Sequence, residues 1–481
     1  MKTRNFLIAD FGASSGRVLA AGFNGESFQL KEIHRFENHP VIAGDTIYWD
    51  FLNLLYELKH GIRRAAHKLE TGIESLGIDT WGVDFGLIDR KGHLLGNPVH
   101  YRNPRRHQML DVLLSKVSAE EIFKVSGVFQ LTIMSVYRLL AMEVDEDPLL
   151  HEADKLLFMP DLFAYFLTGV KLNEASIADT SMLYNVFTKT WDDAILEKLG
   201  IPRKLFCDIV MPGTKIGSLS GSVCDELSIA SFPVVAPASH DTASVVAGIP
   251  AVEDGRPWAF LSLGTWAVIG ILTPEPIMNM GILGPGYGNE VFMEDKTFFA
   301  RNITGLWIIQ QCREAWKTAD DSDLSWEHIL KAAEQAPPLT AFIDADDPVF
   351  AQVQTDMPRV IREYTARTGQ PVPETMGAIA RCVFESLVLK FLFCAEEMSK
   401  LTGMVIEQLY LVGGGSENTL ICQWTADALG IPVNAGPSEA TASGNLVMQM
   451  MGTGLISNLS QGRDIIRKSC ACRAYLPGNR E

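Results

Sequence analysis

The sequence predicts an α/β protein built from two halves of related architecture. Its 481 residues are long for one domain and natural for two. Apolar runs of strand length alternate with helical patterns, which is typical of the α/β class. A strand–turn–strand pattern around residue 12 also reappears around residue 264. We expect an N-terminal domain over 1–247 and a C-terminal domain over 248–481, joined within the Pro- and Gly-containing stretch 249–257.

The first half begins with two apolar runs, at 6–9 and 17–23, which are separated by small residues. This pattern predicts a β-hairpin. Apolar residues at helical spacing over 51–69 predict an amphipathic helix, and Leu76-Gly77-Ile78 predicts a buried strand. The segment 105–205 is rich in Leu, Met, Glu and Lys, which predicts a mainly helical region.

Further along the chain, residues 232–237 predict an extended segment that leads to a helix opening at Ala243. Residues 258–271 predict the second strand–turn–strand unit. The segment 376–403 has the length and pattern of one long helix. Residues 409–412 predict a buried strand that ends in a run of three glycines.

Composition and charge exclude several classes of partner. The formal net charge of −17 repels nucleic acid and anionic membrane surfaces. No stretch approaches 18 apolar residues, and the apolar run after the N-terminus is too short for a signal sequence. The eight cysteines lack zinc-ligand spacing. We expect a cytoplasmic protein, a monomer or a homodimer, that binds neither nucleic acid nor membrane.

The turn of the first hairpin is a candidate anion site. Its small residues leave backbone N–H groups uncovered, and such groups can form a nest for phosphate. Asp10, at the end of the preceding run, suits Mg²⁺ held through water. Arg17 can add charge-assisted hydrogen bonds to phosphate. The alternative is a plain hairpin turn, and the turn carries no Walker A ending.

A second candidate site is Ser239-His240-Asp241-Thr242, at a predicted strand–helix junction. Asp241 can accept a proton from a substrate hydroxyl there, and His240 can hydrogen-bond the same substrate. The alternative is a helix N-cap aspartate beside a structural histidine.

The segment around Trp81-Gly82 is a candidate binding turn. Trp81 can cover an apolar ligand face, and Gly82 lets the backbone approach a hydroxyl. Asp79 and Asp84 can each accept hydrogen bonds, and their spacing does not decide between them. The alternative is a turn with a packed tryptophan.

Four later positions carry weaker signals. Thr265, in the turn Gly264-Thr265-Trp266, can donate to a phosphate oxygen, and Gly414 lies in a bare glycine run against which a flat base can rest. Asn302 is expected to cap a helix in which Gln310 lies about two turns further on. For Thr265 and Gly414 the alternative is an ordinary turn, and for Asn302 the residues favour capping alone over ligand binding.

The motifs, in this order, resemble the FGGY family of carbohydrate kinases nearly end to end. The resemblance implies two ribonuclease-H-like domains of the actin-like ATPase superfamily with an active-site cleft between them. The matching segments are Asp10–Arg17, Tyr48-Trp49-Asp50, Gly82-Val83-Asp84-Phe85, Tyr101-Arg102, Pro160-Asp161-Leu162, His240-Asp241-Thr242, Gly264-Thr265-Trp266, Asn302–Trp307 and Gly413–Gly415.

The resemblance implies a role for each candidate residue. Asp241 becomes the catalytic base, and Mg²⁺ bridges the phosphates of ATP near Asp10. The residues implied to line the sugar are Trp81, Gly82, His240, Asp241, Thr242 and Asn302. The residues implied to bind ATP are Ala13, Ser14, Ser15, Gly16, Arg17, Thr265, Gln310 and Gly414.

Among the members of the family the resemblance is greatest to those that phosphorylate O1 of L-rhamnulose. The chain departs from them at Val291-Phe292, where they usually carry two glycines, at Asn103, where they often carry an acid, and over 175–183. L-Fuculose, or another deoxy-ketose or pentulose, is therefore an open alternative. A non-kinase actin-like ATPase module is the alternative of a different class.

Overall fold

The computed structural model of the chain describes residues 3–69, 71–128, 132–282, 284, 286–293, 296–317 and 324–478. The chain folds into two compact units. The first unit comprises Met1–Pro250, Leu272–Phe299 and Ala440–Ser469. The second unit comprises Ala251–Ile271, Ala300–Glu439 and Cys470–Glu481. The domain boundary between residues 247 and 248 stays a prediction.

Strands alternate with helices through both units, as expected for the α/β class. The strands, in chain order, are β1 (Arg4–Phe11), β2 (Ser15–Phe23), β3 (Phe28–Glu37), β4 (Pro40–Ala43), β5 (Thr46–Trp49), β6 (Ile73–Thr80), β7 (Phe85–Ile88), β8 (Lys155–Phe158), β9 (Asn173–Glu174), β10 (Tyr184–Asn185), β11 (Thr190–Trp191), β12 (Ile209–Val210), β13 (Lys215–Ser218), β14 (Pro233–Val235), β15 (Trp258–Leu263), β16 (Trp266–Thr273), β17 (Tyr287–Val291), β18 (Thr297–Thr304), β19 (Gln408–Val412), β20 (Val433–Ala435) and β21 (Arg473–Tyr475).

The predicted helical character of 105–205 is confirmed, with short strands between its helices. The helices of the chain are α1 (Phe51–Lys68), α2 (Pro104–His107), α3 (Leu110–Lys116), α4 (Ala119–Ser126), α5 (Ser135–Val144), α6 (Pro148–Glu152), α7 (Met159–Thr168), α8 (Ala175–Asp179), α9 (Asp193–Leu199), α10 (Gly221–Leu227), α11 (Asp241–Ala247), α12 (Trp307–Trp316), α13 (Trp326–Gln335), α14 (Pro348–Ala351), α15 (Met357–Arg367), α16 (Met376–Thr402), α17 (Thr419–Leu429), α18 (Ala440–Gly452) and α19 (Leu459–Ser469). In the part of the chain that the structure describes, no helix is long and apolar enough to cross a membrane.

The main sheet of the first unit has the strand order β13-β14-β6-β1-β2-β3. Strands β1 and β2 pair antiparallel with Asp10 opposite Arg17, which confirms the predicted hairpin. Strand β1 is parallel to β6, and β6 is parallel to β14. Because parallel strands end at the same edge of a sheet, the residues that follow β1, β6 and β14 meet there.

In the seven-stranded sheet β17-β18-β16-β15-β19-β20-β21, the strands from β18 to β21 repeat this plan. Strands β15 and β16 form an antiparallel hairpin, and β15 is parallel to β19. Strand β19 is parallel to β20, and β21 is antiparallel to β20, as β13 is to β14 in the first unit. The repeated strand–turn–strand pattern of the sequence therefore reflects two sheets of the same topology.

Helix α1 shows how the sequence pattern produces the core of the first unit. Its apolar face buries Leu54, Leu58 and Ile62, and burying each such side chain contributes about 1.5–3 kcal/mol. The helix begins where the Asp50 side chain accepts a hydrogen bond from the Asn53 amide. The predicted span 51–69 is confirmed to within one residue.

Two of the predicted helix starts are wrong. The helix expected to open at Ala243 begins at Asp241, and the N-cap position belongs to His240, whose side chain makes no capping bond. Asp241 is therefore the first helical residue, where its carboxylate suits the positive end of the helix dipole.

The position expected as a helix cap, Asn302, lies inside strand β18. The neighbouring Phe298, Phe299, Ile303 and Thr304 are buried aromatic and β-branched residues, which favour a strand over a helix start. Helix α12 begins only at Trp307, so Gln310 lies in its first turn. Both the capping role and the two-turn spacing are wrong.

Helices α11 and α18 cross within the first unit at unusually close range. A Cβ atom on Gly248 would overlap the carbonyl oxygen of Ala440, and one on Gly444 would overlap the carbonyl oxygen of Ser244. Glycine is required at both positions because only a missing side chain permits this approach. The small residues before Asn445 therefore serve helix packing.

Candidate active site

Three carboxylates follow the three parallel strands of the first unit. Asp10 lies near the end of β1, Asp79 near the end of β6, and Asp241 begins the helix after β14. Backbone pairing continues beyond the strands, since the amide of Thr80 donates to the carbonyl of Ser239 at 2.9 Å. The sheet therefore places all three carboxylates at one edge.

Asp241 has the electrostatic surroundings of a proton acceptor. Burial raises the pKa of its carboxyl, the charge of His240 lowers it, and the negative charge of Asp10 raises it again. The hydroxyl of Thr242 donates to Oδ1 of Asp241 at 3.2 Å. The side chain nevertheless keeps 38% of its surface exposed, so a bound hydroxyl can reach it.

His240 lies between two carboxylates. Its Nε2 is 3.5 Å from Oδ1 of Asp241, and its Nδ1 is 3.0 Å from Oε2 of Glu290. Burial alone would lower the pKa of the imidazole, but the charges of Glu290, Asp241 and Asp179 outweigh it and raise the pKa to about 9. His240 is therefore a cation at neutral pH.

Gly82 borders this imidazole, as the sequence interpretation requires. A Cβ atom at residue 82 would lie 2.9 Å from Cγ2 of Thr180 and 3.2 Å from Nε2 of His240. Thr180 also accepts a hydrogen bond from the amide of Val83, which has a positive φ of 69°. Glycine at 82 leaves the space beside His240 open. Trp81, by contrast, is only 6% exposed, so it offers a ligand little surface.

Asp84 is a structural hub. Its Oδ1 accepts from Arg106, and its Oδ2 accepts from the indoles of Trp49 and Trp81 and from the amide of Tyr101. Both members of the Asp84–Arg106 ion pair are buried. The sequence left open which of Asp79 and Asp84 accepts hydrogen bonds from a ligand. Both oxygens of Asp84 already accept from protein donors, so Asp84 is the weaker candidate of the two.

Asp79 ends a buried polar chain that sequence reasoning missed. Its Oδ2 accepts from the Asn445 amide, whose oxygen accepts from Gln449 at 2.7 Å, while Ser75 donates to Gln449 at 2.7 Å. Burial raises the pKa of Asp79 well above its usual range, and Asp10 adds to the effect. Its Oδ1 has no hydrogen-bond partner among the described residues. The signal in the sequence was the Asn445–Gln449 pair, two amide side chains one helical turn apart on either side of the apolar run Leu446-Val447-Met448.

The first predicted anion-binding turn is exposed at its tip. Ala13 and Ser14 are exposed, and their amides donate to none of the residues that the structure describes. Backbone hydrogen bonds fix the turn. The carbonyl of Ser15 accepts from the Gly12 amide, and the carbonyl of Ser14 accepts from the Asn38 amide. Free backbone donors on a fixed turn are what an anion nest requires.

The strand ends beside this turn are equally constrained. Gly16 packs under Phe36, where any Cβ would overlap the ring. Arg17 donates from Nη2 to Oδ2 of Asp10 at 2.8 Å, so these two predicted ligands of phosphate and metal form an ion pair. Asp10 remains 13% and Arg17 19% exposed.

The second unit brings two of its predicted nucleotide residues together. The hydroxyl of Thr265 donates to Oε1 of Gln310 at 3.3 Å. The turn is fixed because the Thr265 carbonyl accepts from the amides of Gly305 and Trp307. A Cβ on Gly305 would lie 2.6 Å from the carbonyl carbon of Trp266, so glycine is required for this contact.

Gly414 and Asn302 lie in the same unit. Gly414 is exposed, and a Cβ there would meet no atom within 4 Å. Its neighbours are constrained, because Gly413 has a φ of 82° and a Cβ on Gly415 would overlap Leu263. The exposed backbone at 414 can face a flat ligand. Asn302 is exposed on strand β18.

Comparison with known proteins decides the family. The description of the FGGY family of carbohydrate kinases, N-terminal domain, matches residues 6–248, and that of the C-terminal domain matches residues 259–453. The chain belongs to the FGGY family of carbohydrate kinases. The FGGY resemblance of the motifs is thereby confirmed, and the chain is a sugar-phosphorylating enzyme of this family.

Similar FGGY kinases are known by sequence and by structure. The chain is 38% identical to a rhamnulokinase of Bacteroides thetaiotaomicron, covering 98% of this chain and 96% of the relative. It is 35% identical to a rhamnulokinase of Enterococcus faecalis, covering 99% and 94%. The crystal structure of a gluconate kinase from Lactobacillus acidophilus superposes with a TM-score of 0.80 at 15% identity, covering 99% and 94%. The last likeness confirms the predicted fold class.

Proposed function

We propose that this FGGY kinase transfers the γ-phosphoryl group of ATP to O1 of L-rhamnulose. The observation that carries the proposal is the near end-to-end likeness, at 33–38% identity, to rhamnulokinases of several bacteria. The arrangement of the first unit supports the same reaction, because an accessible carboxylate lies beside a cationic imidazole and an open glycine turn.

Asp241 is the proposed catalytic base. Its raised pKa and partial exposure suit a group that accepts the proton of the attacking hydroxyl. Phosphoryl transfer asks little else of the protein than positioning and stabilisation of charge. The other proposed sugar contacts are Trp81, Gly82, His240, Thr242 and Asn302. Gly82 and His240 have the strongest support, because His240 lies beside Asp241 and Gly82 lies beside His240.

The nucleotide contacts belong to the same proposal. The free amides of Ala13 and Ser14 suit phosphate oxygens, and Ser15, Gly16 and Arg17 complete that turn. In the second unit the proposed contacts are the hydroxyl of Thr265, the amide of Gln310 and the backbone of Gly414.

Magnesium is the proposed metal, and Asp10 is its proposed protein ligand. The described residues contain no group of three or more His, Cys, Asp or Glu that could hold a metal. The single carboxylate of Asp10 fits Mg²⁺, which is commonly bound by one or two carboxylates, phosphate oxygens and water. When bound, Mg²⁺ would neutralise charge on the phosphates. The chain's own part is to present the Asp10 carboxylate, with Arg17 fixing its orientation.

L-Fuculose is the second candidate substrate, because the chain departs from the rhamnulose-specific pattern at three places. At two of these places the side chains are buried. Val291 and Phe292 are buried in the core, and Asn103 is buried where its side chain caps α2. Their side chains serve packing and capping, so these two departures carry no argument against L-rhamnulose. The cytoplasmic location and the monomer or homodimer state remain part of this proposal.

A coupled assay of ADP release tests the proposal. We expect the highest kcat/KM with L-rhamnulose among L-rhamnulose, L-fuculose and D-xylulose, and a product whose phosphorus couples to the C1 protons by NMR. A higher kcat/KM for L-fuculose would overturn the substrate. ADP release that no ketose stimulates would favour the non-kinase ATPase module instead.

A further inference from the structure

Glu290 forms an ion pair with the proposed sugar ligand His240. Nδ1 of His240 and Oε2 of Glu290 lie 3.0 Å apart. Both atoms are shielded from solvent, and neither has a well-aligned hydrogen bond to any described residue. Their pairing is therefore electrostatic. An unpaired carboxylate or imidazolium at this depth would be costly, so each charge depends on the other.

The position of Glu290 is fixed on both sides along strand β17. The amide of Val291 donates to Oδ2 of Asp179 at 2.9 Å. The side chain of Asn289 accepts from the Ile277 amide at 2.6 Å and donates to the Gly127 carbonyl at 2.8 Å. Because both neighbours of Glu290 are anchored, the carboxylate has a defined direction towards His240.

The segment 174–179, which contains Asp179, also anchors His240. The backbone amide of His240 donates to Oγ of Ser176 at 3.2 Å, and the amide of Ser239 donates to Oε2 of Glu174 at 3.1 Å. Helix α8, which contains Ser176 and ends at Asp179, thus holds both members of the pair. Hydrogen bonds from residues 174–179 therefore fix the backbone on both sides of the His240–Glu290 ion pair.

We propose that Glu290 is a positioning residue that orients the His240 imidazole and keeps it protonated beside Asp241. The inference rests on the proposed function and deepens it, because it names how the proposed sugar site is kept charged. With Nδ1 turned to Glu290, Nε2 faces Gly82 and Asp241. A protonated Nε2 can only donate, which suits a sugar oxygen. The same positive charge lowers the pKa of Asp241 and keeps that carboxylate ready to accept a proton.

The acidic groups that face His240 are Glu290, Asp241 and Asp179, and burial raises the pKa of Asp179 well above its usual range. Removing the charge of Glu290 takes away the largest of their contributions, so His240 loses its proton at a lower pH. Loss of the imidazolium then raises the pKa of Asp241. Both changes narrow the pH range in which a protonated His240 and an ionised Asp241 coexist.

The test compares Glu290→Gln, Glu290→Asp and wild type in pH profiles of kcat/KM for L-rhamnulose. For Glu290→Gln we expect a loss on the order of tenfold or more at neutral pH, with the alkaline limb moved to lower pH by about one unit or more. The KM for ATP should not change. Glu290→Asp should restore much of the activity and the alkaline limb.

The chain offers a matched control in Glu57, which pairs with His34 at 2.5 Å and has a similar exposure of 22%. Glu57→Gln removes the same charge from a histidine–glutamate pair outside the proposed site, and its pH profile should match wild type. A Glu290→Gln profile that also matches wild type would overturn the inference.

A second measurement separates this inference from the proposed function. NMR titration of labelled histidines, with His240 assigned by its loss in His240→Asn, follows the imidazole whether or not any ketose is phosphorylated. We expect Glu290→Gln to lower the pKa of His240 by about one unit or more. An unchanged His240 titration would refute the role of Glu290 even in an active kinase. A wild type without ketose-dependent ADP release would refute the proposed function alone.

Discussion

The carboxylate of Asp79 accepts a hydrogen bond from the side chain of Asn445, 366 residues further along the chain. Asn445 is bonded in turn to Gln449, which donates to the carbonyl of Leu7 in strand β1 at 2.8 Å. A helix from the end of the sequence thereby fastens two strands from its beginning. This arrangement leads to the first prediction.

Gly77 provides the space for this polar chain. A Cβ at residue 77 would overlap Oδ1 of Asn445 and lie 2.8 Å from Nε2 of Gln449. We expect Gly77→Ala to reduce the free energy of unfolding by about 1–3 kcal/mol in urea titrations. The double variant Gly77→Ala/Asn445→Ala should lose less than the sum of the two single variants. Additive losses would contradict the proposed clash.

Asp241→Asn should lower kcat for ketose phosphorylation by on the order of 100-fold or more, because the amide cannot accept the proton. Ketose binding measured by calorimetry should be largely kept, since the shape of the side chain is unchanged. Asp225→Asn, an exposed helical position, is the control for a general loss of charge. Turnover near that of wild type would remove Asp241 from the role of base.

Gly414→Val should weaken ATP binding and leave ketose affinity and stability unchanged. A Cβ atom at residue 414 meets no protein atom within 4 Å, so we expect the new side chain to obstruct a ligand without disturbing the fold. The matched variant Gly415→Val places its side chain on Leu263 and should instead lower the melting temperature. Equal loss of both ligands in Gly414→Val would indicate misfolding and contradict the nucleotide role.

Arg106→Leu should destabilise the first unit by about 3–5 kcal/mol, because it leaves the buried carboxylate of Asp84 without its cation. Arg106→Leu combined with Asp84→Asn should recover part of that loss, which urea unfolding can measure. As a reference, Arg35→Leu removes an exposed ion pair with Glu32 and should cost less than about 1 kcal/mol. A cost for Arg106→Leu as small as that would contradict the hub described for Asp84.

His100 should contribute to acid destabilisation. Burial lowers the pKa of its imidazole to about 4, with Arg102 and Arg106 adding to the effect, so the folded protein binds this proton less readily than the unfolded chain. The associated stability is present above pH 6.5 and is lost as the pH falls towards 4, by up to about 3 kcal/mol.

His100→Gln tests this dependence, because glutamine does not titrate. The difference in urea midpoint between pH 7 and pH 5 should be smaller in the variant than in wild type. An equal difference in both proteins would assign the acid sensitivity to other groups.

Local signals in the sequence predicted the elements of the fold well. The hairpin at Asp10–Arg17, its repeat around Thr265 and the helix at 376–402 each follow from a pattern contained within one short segment. The prediction of a helix cap at Asn302 was wrong because an asparagine can cap a helix or lie in a strand. The buried residues around it decide which of the two structures forms. The start of α11 was missed by two residues for a similar reason, since a helix N-terminus depends on backbone angles.

The residues that shape the candidate site were less predictable because their partners are distant in sequence. Glu290 meets His240, and Asn445 meets Asp79, only after the strands and helices of the first unit have assembled. The two aspartates of the Trp81 turn looked equivalent in sequence. Their difference comes from Arg106, which occupies one oxygen of Asp84 and lies outside the turn.

The glycine crossing of α11 with α18 has a consequence for how the protein is made. The first unit includes Ala440–Ser469, and α18 lies against α11, β1 and β6 within it. The ribosome must therefore synthesise the second unit almost completely before the first can finish folding. Until then the face of α11 that receives Gly444, and the part of β6 that receives Asn445, stay uncovered. During synthesis, the half of the chain that is made first therefore exposes these buried surfaces for the longest time.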